Sequence, residues 1–453
     1  MNAATRRSLL AGGLVAGLGG CGSIARPAAD SWSRADAIVA GIQSPRIPAR
    51  ETRITEHGAR TGAHDALPAV LAAIGSIADA GGGRVILPAG EWRLDGPIHL
   101  RSGVELHVEA GAVVRFTPEA RFYPTVFTRW EGTEVFNHSP LIYGRGLTDV
   151  AVTGAGRFEG GGRDYWFTWR PEQRPDQTLL RQMGAEGVPV SDRVFGLGRK
   201  LRPAFLQFID CRRVLIEGPT FADSPFWVIH PVYCDHVTVR RIGVVSKHLN
   251  SDGCDPDSCT NVLIEGCRFD VSDDCVAVKS GRDQDGWRVA RPSRAIVVQD
   301  CEMRTDIAAA FAIGSEMSGG ANDIWVRRLA VPHAEHALYF KANLDRGGVI
   351  ERIRIKDVAV EKTESLIHFT TDYHSWRGGN FPPTYRDFRV EDVRCVEAEQ
   401  ALRIAGVPSA PVQDVLLRNV SCDRATEPDL IRDTRRLRLE GVRVNGRAVT
   451  APA

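Results

Sequence analysis

The chain has 453 residues, 43% hydrophobic and 25% charged, with a formal net charge of +1. That balance excludes a highly charged disordered chain and removes the basic field on which nucleic-acid binding depends. Forty-five glycines against seven tyrosines and four methionines favour many tight turns over a helical bundle.

In chain order, residues 1–21 read as an export signal. Arg6 and Arg7 precede an apolar stretch from Leu9 to Leu18, which is too short to span a bilayer and is laid out as a signal peptide. The paired arginines are of the twin-arginine type. "LGGC" resembles a bacterial lipobox, which makes Cys21 the expected lipid-bearing first residue of the mature chain. The expected location is therefore outside the cytoplasm, periplasmic or anchored to a membrane through Cys21. Residues 22–48 read as a linker, 49–445 as one domain and 446–453 as a tail.

Nine further cysteines form an odd set. Cys211, Cys267 and Cys301 lie in apolar repeats, where a buried thiol is the expected state; an oxidising compartment would allow one disulfide, Cys275 to Cys301. "CDPDSC" lacks the second half that a zinc site needs.

Residues 64–80, "HDALPAVLAAIGSIADA", carry apolar residues at helical spacing with Pro68 as an early interruption. They predict a short helix capping the open end of a solenoid. The chain beyond them is repetitive: "RRVLIEGPTF", "DHVTVRRIGV", "TNVLIEGCRF", "RAIVVQDCEM", "NDIWVRRLAV", "ERIRIKDVAV", "RDFRVEDVRC" and "QDVLLRNVSC" share one form. Each has a turn residue, a short β run with apolar outer positions, a turn and a second β run. Ile216, Val239, Ile264, Val298, Val326, Ile355, Val390 and Leu417 are equivalent, giving a period of roughly 22 to 35 residues. Units this small cannot bury their own apolar face and must stack. Short strands without intervening helices predict an all-β fold, a parallel β-helix with an N-terminal capping helix.

Two acidic clusters interrupt this repeat: "HLNSDGCDPDSC" from His248 and "SDDCVAVKSG" from Ser272. Asp252 and Asp273 are about one coil apart, which places them on one side of the solenoid at a rung spacing of about 4.8 Å. Asp274 adjoins Asp273. Three carboxylates in one patch cannot all ionise without cost, so at least one pKa rises. A raised carboxylic acid beside ionised carboxylates is suited to acid–base cleavage of an acetal.

"NSDGCDPDSC", "SDDCVAVKSGRDQDGWRV", "FAIGSEMSGG" and "ALYFKANLDRGG" together resemble the ordered motifs of family-28 glycoside hydrolases, the polygalacturonases; "IGSEMSGG" is similar to the exo-acting bacterial branch. The resemblance implies a right-handed parallel β-helix that hydrolyses a pectic polysaccharide or oligosaccharide with inversion. It implies Asp273 as general acid and Asp252 and Asp274 as the groups that activate water. It implies no metal or organic cofactor. Asn250, Lys279, Lys341 and Glu316 are the expected sugar-binding residues, and a monomer is expected. Two positions depart from the family pattern. Ala308 stands where a histidine would align, leaving His248, His333 and His336 as candidates for its role. Tyr339 stands in place of an arginine, and its ring offers the sugar a flat face where a guanidinium would clamp a carboxylate. Trp166, Trp169, Trp227, Trp287 and Trp376 are candidate stacking platforms, and residues 161–193 have room to wall one end of a cleft. Two other functions compete: a calcium-dependent lyase on the same fold, and a glycan-binding relative without catalysis.

Overall fold

A computed structural model describes residues 32–374 and 376–451; the expected export signal and Cys21 lie outside them. The fold is a right-handed parallel β-helix. Its register matches the repeat residue by residue: Ile216 pairs with Val239, and Ile264, Val298, Val326, Ile355, Val390 and Leu417 continue the stack, each beside the next. All eight point into the core and are fully buried. Backbone hydrogen bonds run between coils, so each short strand is completed by its neighbours above and below.

Each coil turns its corners through a left-handed residue. Arg213, His236, Asn261, Ala295, Asp323, Arg352, Asp387 and Asp414 all have φ between 53° and 60°, one in each successive coil. This conformation is costly for a residue with a Cβ. Ion pairs between coils offset part of the cost: Arg213 forks onto Asp149 at 2.6 Å through two nitrogens, and Arg328 does the same to Asp300.

Helix α1 (Ser33–Gly41) corrects the linker reading of residues 22–48. Trp32, Ala35 and Ile38 recur at helical spacing and pack on Leu263, Ala295, Val297 and Trp325, side chains on the outer face of the solenoid. Trp32 meets Trp325 edge-on at 5.3 Å. Helix α2 (Leu67–Asp79) closes the N-terminal end, burying Val70, Ala73, Ile74 and Ile77 in the main core. Pro68 lies in its first turn, where no amide hydrogen is needed, so it starts the helix where an interruption was expected. At the other end Arg447–Ala448 pairs antiparallel with Arg443–Val444, so the expected tail is partly a closing hairpin. None of the described helices is long and apolar enough to cross a membrane.

The nine described cysteines are free, buried thiols. Cys275 and Cys301 are not joined, because they occupy different corners. Cys275 donates to the carbonyl of Arg304 at 3.4 Å, whereas Cys301 neighbours Cys267 on the adjacent coil.

Candidate active site

A second internal stack carries the site. Leu206, Ile229, Cys254, Val276, Phe311 and Leu338 pair in succession. Cys254 pairs with Val276, so this coil takes 22 residues. Asp252 is therefore in register with Asp274, where the repeat spacing suggested Asp273. Asp273 precedes it and swings toward the same space: Asp252, Asp273 and Asp274 bring carboxylate oxygens within 4.8 Å of one another. They line a cavity of about 630 Å³ together with Lys279, Glu316 and Lys341.

Each carboxylate is held differently. Asp273 accepts the backbone N–H of Asn250 at 2.9 Å and that of Asp274 at 3.0 Å. Burial, then the neighbouring Asp274, push its pKa up, opposed by Lys341, the Asn250 N–H and Lys279. Asp274 takes both contacts of the Lys341 ammonium, at 2.7 and 3.0 Å, and accepts the N–H of Ala309 at 3.0 Å. Asp252 has Lys279 at 3.3 Å. Burial, then Asp255 and Asp273, raise its pKa well above the usual range.

The cations are fixed in turn. Lys279 lies 3.3 Å from Glu316 and 3.7 Å from Asp255, with its ammonium 4.2 Å above the Trp227 ring. Burial alone would lower the pKa of Lys279, but Asp255, Asp252 and Glu316 outweigh it. Lys341 is likewise raised, Asp274 overcoming burial. Glu316 accepts from Arg282 at 2.5 Å and from the Ser315 hydroxyl at 3.0 Å. Burial would push Glu316 up, yet Lys279, Arg282, Arg346 and Lys341 hold it well below the ordinary carboxylate range.

Asn250, Lys279, Lys341 and Glu316 thus converge with the three aspartates, whereas Tyr339 does not join them at the cavity. It is buried beside Lys341, stacked on His368 at 4.5 Å and against His336 at 4.1 Å. Its side chain points outward from the coil in the row of Ala277 and Ala312, where the histidines cover it; Tyr373 faces the cavity instead. His336 lies beside Ala308 on the neighbouring coil, donating its backbone N–H to the Ala308 carbonyl at 3.0 Å. His336 bonds Ser365 at 2.7 Å, and burial depresses its pKa to about 4. His248 donates to the Ser224 carbonyl and packs on Phe167. His333 pairs along the strand with Arg304 and Lys362.

Among the tryptophans, Trp227 lines the cavity. Trp166 and Trp169 are buried against each other at 4.8 Å, so they pack and offer no face to a sugar. Trp287 lies 4.5 Å from Phe381, and Trp376 is 41% exposed.

Residues 161–193 hold helix α3 (Arg170–Ala185), which forms a wall of the cavity through Arg170, Gln173, Arg174, Gln177 and Arg181. These residues recur at mostly three- and four-residue spacing, one face of the helix. Arg202 was also missed. Fully buried, it donates to Gln173 of α3 at 2.8 Å and to the Asn250 side chain at 2.8 Å, and burial brings it down to about 9. Asp255 is a further buried carboxyl beneath the site.

The three aspartates could together ligate a cation. Two ammonium groups already stand at 2.7 and 3.3 Å from them, so the cluster is charge-compensated by the protein itself. Three clustered carboxyls, two of them beside ammonium groups, in a cation-lined polar cavity are equipment for cleaving a glycosidic bond. On this fold they define an O-glycosyl hydrolase.

Residues 191–434 match the model of Glycosyl hydrolases family 28, and the chain belongs to that family. The solved structure of a hyperthermoactive exopolygalacturonase from Thermotoga maritima superposes with a TM-score of 0.88 at 36% identity, over 92% of this chain and 97% of that one. A family 28 exopolygalacturonase from Yersinia enterocolitica gives 0.71 at 17% identity, over 87% and 76%, a likeness of fold. A probable polygalacturonase of Vitis vinifera is 28% identical over 364 residues, 77% of this chain and 68% of the relative.

Proposed function

We propose that the protein hydrolyses a pectin-related chain, galacturonan or rhamnogalacturonan in type, from one end and with inversion. Asp273 is the general acid, and Asp252 and Asp274 hold and deprotonate the attacking water. The observation that carries this reading is the unequal treatment of the three carboxyls. Asp273 is held by the N–H groups of Asn250 and Asp274 with no ammonium in ion-pair contact, while Asp274 and Asp252 have one at 2.7 and 3.3 Å; those lysines favour the charged form of their partners, at Asp252 against burial and Asp255. The oxygens are closer than the roughly 6.5 to 9.5 Å usual between inverting carboxyls. Inversion is still favoured, because two ammonium-paired carboxylates can grip one water from both sides and neither is left free to attack carbon. The cations of the cavity suit a uronate-bearing chain. Support for end-on action comes from α3, which walls the cavity with Arg170, Arg174 and Arg181, and from the exo-acting Thermotoga relative.

The test is product analysis on polygalacturonan, rhamnogalacturonan and their oligomers. Mass spectrometry is expected to find mono- or disaccharides heavier by one water, with proton NMR showing the anomer opposite to the substrate linkage. Asp273→Asn is expected to lower kcat by at least about a thousandfold. A chelator is expected to leave the rate unchanged. Unsaturated, chelator-sensitive products would instead mean a lyase, mid-chain cuts would remove end-on action, and a retained anomer would remove inversion.

A further inference from the structure

The cavity does not end at Glu316. Arg181, Arg282 and Thr178 also line a second chamber of about 560 Å³, whose far side is formed by Trp376, Arg377, Asn380 and Phe381. Trp376 and Phe381 are 41% and 47% exposed, a large apolar face to leave in water without a use.

The segment that carries them is held in place. The Asp345 carboxylate gathers the backbone N–H groups of Arg377, Gly378 and Asn380 at 2.5, 3.0 and 3.1 Å. Those hydrogen bonds keep its pKa low against the effect of burial. Phe381 is fixed by two backbone bonds, to Leu344 and from Gly347, at 2.8 and 2.7 Å, and its ring leans on Trp287 at 4.5 Å. One edge of the Trp376 indole lies over Gly379, where a Cβ would come within 3.2 Å of Nε1. A side chain at 379 would therefore crowd the ring, and φ there is +70°, which glycine accepts without strain.

An aromatic ring backed by protein on one side and open on the other, with Arg181 and Arg377 beside it, suits one ligand class: a pyranose ring bearing a carboxylate. The apolar face of the sugar stacks on the indole and the acid meets a guanidinium. Because Thr178, Arg181 and Arg282 line both chambers, a chain held at the aspartates has a continuous path into this one.

We infer that Trp376, with Arg377, forms a subsite for the next uronate unit along the chain, so that the enzyme prefers substrates longer than a dimer. This rests on the function proposed above. The experiment compares kcat/KM on oligogalacturonides of two, three and four units for the wild type, Trp376→Ala and Trp376→Phe. The ratio of the four-unit to the two-unit value is expected to fall about tenfold in Trp376→Ala, through KM, and to recover in Trp376→Phe. A ratio equal to that of the wild type overturns the subsite while leaving the hydrolase reading intact. If the wild type cleaves none of the three, the substrate reading fails and the subsite falls with it.

Discussion

Asp255 has both carboxylate oxygens buried without a hydrogen bond among the described residues, and its nearest cation is 3.7 Å away on Lys279. Burial lifts its pKa well above the usual value, with Asp274 and Asp273 adding to the rise against Lys279. A carboxyl raised in the fold contributes most to stability below its unfolded value, near 3.9, and loses that contribution as pH climbs through the raised value. Asp255→Asn is therefore expected to melt above the wild type at pH 7 to 8, by about 1 to 3 kcal/mol, with the gap closing toward pH 4. Asp255 also raises Asp252, so the same variant should move the acidic limb of the rate profile to lower pH. A melting difference that does not depend on pH would show that Asp255 titrates in the fold as it does in the unfolded chain, and would overturn the burial argument. The sequence revealed the cluster of aspartates but gave no sign that Asp255 would be the one with neither oxygen hydrogen-bonded, because that depends on which groups the neighbouring coils bring beside it.

Among the elements, α1 and α3 lie outside the repeat, and each was hidden for a different reason. The repeat predicts strands because each coil uses the same alternation, and the observed register agrees with it at all eight equivalent positions. Helix α1 is short, and its apolar face reads as helical only once an apolar patch on the outer face of the solenoid is known to receive it. Helix α3 is polar on most faces, with Pro171 and Pro175 in its sequence, and so resembles a loop. Its wall of arginines is set by helical spacing across a cavity that no linear reading could locate. Trp32→Ala is expected to cost about 3 kcal/mol, since the ring is 7% exposed and packs on Trp325. Because α1 docks on Leu263, Ala295, Val297 and Trp325, none of which lines the cavity, kcat of the folded variant should match the wild type; a lower kcat would mean that α1 supports the site. With Tyr339 the difficulty was reversed. Its position in the motif was legible, but its covering by His336 and His368 depends on side chains that only the stacking of coils brings over it.

Over the whole molecule, the site depends on coils keeping step. Asp252, Asp274 and Lys341 sit on separate coils, and only the register of the shared stack brings them together. A coil added before Leu206 or after Thr370 would leave that register untouched. One added between Val278 and Ala309 would part Asp274 from Lys341 and abolish turnover, which an insertion series measured by kcat would reveal.

The buried thiols bear on how such a molecule ends its working life. Folded, they are packing atoms buried away from oxidants, several stacked beside one another on adjacent coils as Cys267 and Cys301 are. Once coils separate, up to nine of them enter solvent on a single chain, free to form mixed and mispaired bridges. Loss of activity on heating in air should then be irreversible, with an apparent midpoint that rises with scan rate, whereas a strong reductant should restore recovery on cooling. Endurance in air would thus be governed by the height of the barrier to opening and by how seldom it is crossed.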